Sequence, residues 1–251
     1  MNEAFKKLII QEVEIMWTRF DLKMRGRQAF QRNYWASVVV ALVMSIVAAV
    51  FTASGSNGSR GFHGNYDGWG YFSEFSLLWI ALAGIAAVLG AGMILLAIFV
   101  GNVLVVGGYR FFVLNQTEMP SAGNLGYGFK SGHYGNIVLT MFLRDLFTFL
   151  WTLLFVVPGI IKHYEYLMVP YILAENPGMG REEAFLISKK MMMGQKWEVF
   201  VLDLSFIGWR ILEAISFGIV GIFYVEPYYQ ATLAELYSQN RTMAYQNGYI
   251  R

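Results

Sequence analysis

Asp203, Arg210 and Glu213 stand seven and three residues apart. That spacing puts them along one side of an α-helix and brings Arg210 within reach of Glu213. A second charged pair, Arg144 and Asp145, interrupts FLRDLFTFLWTLLFV, residues 142–156, a stretch otherwise apolar enough for lipid. Ionisable groups in such surroundings are costly, and they are held by partners or face a polar cavity. Ion pairing, a proton relay or contact with a polar solute is the chemistry open to them. Arg210 is expected to face Asp145 and Arg144 to face Asp203, a cluster that first of all holds two segments in register.

Other candidates are weaker. His163 and Glu165 in KHYEY are an acid and a base, but two residues apart on a helix they point in different directions. His63 and Asp67 sit in a glycine-rich loop, residues 54–74, and read as solvated polar groups rather than metal ligands. No G-x-S-x-G elbow, H-E-x-x-H, P-loop or G-x-G-x-x-G occurs, so neither catalysis nor a cofactor is expected. With no cysteine there is no disulfide, thiolate nucleophile or Cys-bound metal.

The elements that must position these charges are membrane helices. The chain is 56% hydrophobic and only 14% charged, where soluble domains run near a quarter charged. A crossing helix needs about 20 apolar residues. Six spans are expected, near 34–53, 76–100, 137–157, 160–175, 197–217 and 218–237, in one transmembrane domain over 34–240. Pro158-Gly159 is expected to stop the third. The first is read as an uncleaved span, because a long charged segment precedes it. Ala83, Ala87 and Ala91 form a small-residue ridge suited to close helix packing.

Basic residues set the orientation. Six spans leave only Arg60 and Lys162 outside, with Arg144 and Arg210 inside spans and all other Lys and Arg on the inner face. Both termini are therefore expected in the cytoplasm, the tail being 241–251. Within segment 1–33, Phe5, Ile9, Val13, Met16 and Phe20 recur at helical spacing, an amphipathic helix for the inner leaflet or a docking face for a membrane-protein partner. REEAFLISKKMMMGQK, 181–196, repeats the pattern, acidic at its start and basic near its end. Its lysines suit anionic headgroups, and its methionines serve as apolar filler. Nucleic acid is not an expected partner.

An internal repeat runs through the second half. Residues 145–171 and 203–228 each begin Asp-Leu, carry Trp six residues after the Asp (Trp151, Trp209) and close in Pro-Tyr (Pro170-Tyr171, Pro227-Tyr228). Parallel repeats of this kind build many transporters, though not only transporters.

PGIIKHYEYLMVPYILAENP (158–177), SKKMMMGQKWEVF (188–200), LSFIGW (204–209) and EPYYQATLAELY (226–237) resemble an uncharacterised bacterial integral-membrane family, domain-of-unknown-function 975. GGYRFFVLN (107–115) and QAFQRNYW (28–35) fit the same pattern. The resemblance implies an all-α, polytopic helical bundle in the bacterial cytoplasmic membrane. It carries no established activity and so assigns no functional residues. Two functions stay open: a non-catalytic envelope accessory, assembly or protective protein, which is the leading expectation, and a small ion-coupled or passive transporter or channel using the buried charges.

Overall fold

A computed structural model describes residues 17–56 and 75–250, and every described regular element is helical. The first helix, α1 (Arg19–Arg32), is capped by Thr18, whose hydroxyl oxygen accepts from the Asp21 N–H at 3.1 Å and donates to the Asp21 carboxylate at 2.6 Å. Asn33 leaves helical geometry, and α2 (Tyr34–Ser56) departs with a bend of 107° between the two axes. Polar bonds hold this corner. The Asn33 amide donates to Asn115 Oδ1 and to the Pro120 carbonyl, both at 2.9 Å, while Asn115 donates to the Ala29 carbonyl at 2.8 Å.

Next comes one long helical run: α3 (Phe75–Leu96), a π-type turn (Ala97–Gly101) and α4 (Asn102–Leu114). The stretch Ile80–Leu114 is 35 residues, roughly 50 Å at 1.5 Å per residue, well beyond a hydrocarbon core of about 30 Å. Its two ends differ in surroundings. Residues 81–89 and 91–96 are exposed, whereas Val103, Val106, Phe111 and Phe112 are buried. The ridge Ala83, Ala87, Ala91 is exposed, and nothing lies within 4 Å of a Cβ built at Gly84, Gly90 or Gly92. Gly107 and Gly108 do the work of close approach instead, against Leu125 and Met44.

After a 3-10 turn (Ala122–Gly126) and the short α5 (Tyr127–Lys130), α6 (Tyr134–Leu154) runs unbroken. It ends at Phe155, a single extended residue that is also the N-cap of α7 (Val156–Glu165). Pro158-Gly159 therefore does not stop the span; it lies in the first turn of the next helix, where proline's missing N–H costs nothing. Gly159 sets the tightness of the hairpin, since a Cβ there would come 2.6 Å from Thr152 Cα.

The segments expected to span near 160–175 and 197–217 are both broken. Residues 166–168 separate α7 from α8 (Val169–Glu175). Ser205-Phe206 separates α10 (Lys196–Leu204) from α11 (Ile207–Ile215). Between them lies α9 (Arg181–Met191), with Glu182 and Glu183 in its first turn and Lys189 and Lys190 in its last. A second hairpin turns at Phe217 (φ 51°) and Gly218 (φ 85°), passes a π-type turn (Gly221–Val225) and returns as α12 (Glu226–Gln246). Pro170 and Pro227 each occupy the first turn of their helix.

By length and composition, two helices, Ile80–Leu114 and Tyr134–Leu154, are apolar enough to cross a membrane, or three if the bent α1–α2 pair is one span. Hydrophobic side chains lie exposed at both hairpin tips, from Leu153 to Val157 and at Ile215, Phe217 and Ile219. The opposite half of the molecule has a packed core that includes Phe30, Phe111, Met168, Tyr171, Leu202 and Tyr237, and Met191 and Met192 are part of it.

One buried polar network ties that core together. Trp17 donates to Gln195 Oε1 at 2.8 Å, and the Gln195 amide donates to Asn240 Oδ1 at 3.0 Å. Gln195→Leu strands the indole N–H and the Asn240 oxygen in the interior, and each such group costs about 1–3 kcal/mol. The expected loss is about 2 kcal/mol, read from thermal unfolding by circular dichroism; an unchanged midpoint refutes it.

Candidate functional site

Charges on three elements converge on a cavity of about 860 Å³. Helix α6 supplies Arg144 and Asp145, α11 supplies Arg210 and Glu213, and α12 supplies Glu226 and Gln230. The facing wall comes from α2 through Ser45 and Val47, and from the long helix through Ile98, Asn102 and Tyr109. Phe142 and Phe149 complete the aromatic part of the lining.

The pairing differs from the expected one. Arg144 does not reach Asp203 but turns to its own neighbour, donating to Asp145 Oδ1 through Nη2 at 2.6 Å and Nε at 2.9 Å. Arg210 does not pair with Asp145. It binds Glu213 at 3.1 Å, as the three-residue spacing requires, and Glu226 at 3.0 Å. Gly221 leaves room for this arrangement, since a Cβ there would lie 2.5 Å from Glu213 Oε1. Asp203 is outside the cavity lining and accepts from the hydroxyls of Tyr164 at 2.7 Å and Tyr229 at 2.9 Å. The reason is the break at Ser205-Phe206, which destroys the continuous helical face that would have carried Asp203 and Arg210 together.

Polar atoms at the cavity remain unsatisfied. Asn102 is 2% exposed and Gln230 is 8% exposed. Asn102 Nδ2 and Gln230 Oε1 have no hydrogen-bond partner, although Gln230 Nε2 donates to Glu226 Oε1 at 2.8 Å. From the cavity wall a column of tyrosines leads away: Tyr109 packs on Tyr171 at 4.3 Å between centroids, and Tyr171 stacks on Tyr237 at 5.0 Å. Tyr237 donates to Glu175 at 2.7 Å, and Glu175, also paired with Arg241, lines a separate cleft of about 700 Å³.

Of the repeat landmarks, Tyr171 and Tyr228 are buried, Trp209 packs on Tyr224 at 5.0 Å, and Trp151 is exposed beside the Lys162 ammonium at 5.4 Å. His163 and Glu165 do not act on each other. Glu165, 6% exposed, binds Lys162 at 2.6 Å and Lys196 at 2.5 Å. This corrects the charge map: Lys162 was expected outside and Lys196 inside, yet one carboxylate holds both, so they occupy the same side. Among the described residues no group of three His, Asp or Glu could hold a metal ion. The amphipathic run from Phe5 to Met16, and His63 and Asp67, lie outside the described residues.

Sequence reasoning missed Glu226, Asn102 and Gln230. Each carried a signal: Asn102 is a lone amide in an apolar run, and Glu226 adjoins the Pro227 landmark, four residues before Gln230.

Residues 153–243 match the family model described as "Protein of unknown function (DUF975)". That match is to the family its motifs resemble. The DUF975 match begins at the tip of the first hairpin and runs into α12, so it contains Arg210, Glu213, Glu226 and Gln230. Arg144, Asp145 and Asn102 precede it, as do the segments 28–35 and 107–115. No curated protein and no solved structure matches the chain.

Proposed function

We propose that this is a multi-pass protein of the bacterial cytoplasmic membrane whose cavity admits a small polar solute, making it a small ion-coupled or passive transporter or channel. One observation carries the reading: five charged side chains and two unsatisfied buried amides share one cavity bounded by apolar helices. A purely structural cluster would be expected to close on itself, because unsatisfied polar groups in a dry interior are expensive. The tyrosine column toward the Glu175 cleft adds a second polar region beyond it. The rival is a non-catalytic accessory or protective protein of the envelope, enzymatic activity being proposed for neither. That reading requires a dry cavity.

Six segments enter the bilayer in this proposal: α2, the α3–α4 run and the arms of the two hairpins. Both termini and the basic surface of α9 face inward toward anionic headgroups. Lys162 joins the inner basic set beside Lys196.

The natural absence of cysteine makes the test direct. In proteoliposomes, Ser45→Cys, on the cavity wall, should react with a charged, membrane-impermeant thiol reagent at least tenfold faster than Val88→Cys, which is 72% exposed on α3. Equal, negligible rates mean a dry cavity and favour the accessory reading. In the same vesicles Lys162→Cys and Lys190→Cys should react from the inner side and Arg60→Cys from the outer; reaction of Lys162→Cys from outside overturns the revised orientation.

A further inference from the structure

The charges in the cavity do not cancel. Arg144 and Asp145 neutralise each other at 2.6 Å, but the single guanidinium of Arg210 faces two carboxylates, Glu213 and Glu226. One negative charge is left over, in surroundings where an uncompensated charge is strongly disfavoured. A bare metal ion is a poor answer, because the acidic groups do not converge as a metal cluster among the described residues. The cavity, at about 860 Å³, has the size of a small-molecule site rather than an ion site.

Its walls narrow the choice. Tyr109, Phe142 and Phe149 present aromatic rings, and Val47, Ile98 and Leu146 present apolar surface. Aromatic faces attract organic cations. Beside the excess carboxylate, Gln230 holds an unpartnered carbonyl oxygen, and it is held in place by its own bond to Glu226. An acceptor in that position calls for an N–H donor.

Resting on the reading that this cavity is the functional site, we propose that its ligand is a small lipophilic ammonium ion carrying at least one N–H. The charged nitrogen sits between Glu226 and Gln230 Oε1, and its apolar part lies against Phe142, Phe149 and Tyr109. The other charged groups facing that position are Arg144, Asp145, Arg210 and Glu213. A quaternary ammonium satisfies the charge but not the glutamine, and an aromatic carboxylate satisfies neither.

Thermal unfolding of the purified full-length protein in detergent tests this, because a ligand that binds only the folded state raises Tm with its concentration. Benzylammonium should raise Tm saturably, benzyltrimethylammonium should need at least tenfold more for the same shift, and benzoate should give none. Gln230→Leu should weaken benzylammonium at least tenfold. Glu226→Gln should abolish the shift while leaving the ligand-free Tm equal to or above wild type, since it removes the surplus charge. A shift with benzoate as large as with benzylammonium overturns the proposal, as does no shift with any probe. Equal potency of the quaternary ion refutes the role of Gln230. A Glu226→Gln variant of lowered ligand-free Tm that still binds benzylammonium normally means a structural cluster. Reactive Ser45→Cys combined with no Tm shift would reject the ammonium ligand and leave the wet cavity standing.

Discussion

Gly107→Ala should destabilise the protein by roughly 3–4 kcal/mol, at or above the upper end of ordinary overpacking. A Cβ at this position collides with the Leu125 carbonyl oxygen and lies 2.7 Å from both the Asn124 oxygen and the Leu125 carbon. These are backbone atoms of the 3-10 turn packed on α4, so no side-chain rotation relieves the clash. The turn must move off the helix two residues from Tyr109, on the cavity wall. Alanine's better helix propensity recovers only about 1 kcal/mol. A fall in Tm of roughly 10 °C is expected by circular dichroism. Gly126→Ala is the control: nothing lies within 4 Å of its Cβ, and its expected effect is within about 0.5 kcal/mol. Equal behaviour of the two variants would show that the turn does not pack as described.

Glu165→Ala should cost about 3 kcal/mol, the loss typical when one partner of a buried ionic group is removed. The carboxylate is nearly enclosed, while the Lys162 and Lys196 side chains keep 22% and 30% of their exposure. Removing it leaves two ammonium groups facing one vacated site. Partial solvation of the lysines keeps the figure below that of a fully buried triad. Combining Glu165→Gln with Lys162→Met should recover most of the loss, because one cation with a neutral partner replaces two cations with none. If the double variant is as unstable as Glu165→Ala, repulsion between the lysines is not the cause.

Apolar runs marked the long helices well, since α2, α3 and α6 are read from composition and length alone. Breaks within the other segments were not legible. Phe155 and Phe206 are ordinary apolar residues, and nothing in their type announces a hairpin tip or a helix junction; the packing of Gly159 on Thr152 decides the first. Helical spacing predicted the Arg210–Glu213 contact because both lie on α11. It failed for Asp203 because Ser205-Phe206 interrupts the regular helix between them. Glu226 escaped notice because its charged partner, Arg210, lies on another helix, and α12 is held at the cavity by its packing against α1, α2 and α4.

Two bonds join the two hairpins near their bases, both from α7 to α10: Glu165 to Lys196, and Tyr164 to Asp203. The tips at Phe155 and Phe217 carry exposed side chains, 71% and 97%, and make no comparable link to each other among the described residues. Any relative movement that preserves those bonds must therefore swing like forceps, with the fulcrum at the fastened end and the widest sweep where the jaws meet lipid. Phe149 and Arg210 lie partway along the two jaws, so the gap between them would widen and narrow with every such stroke.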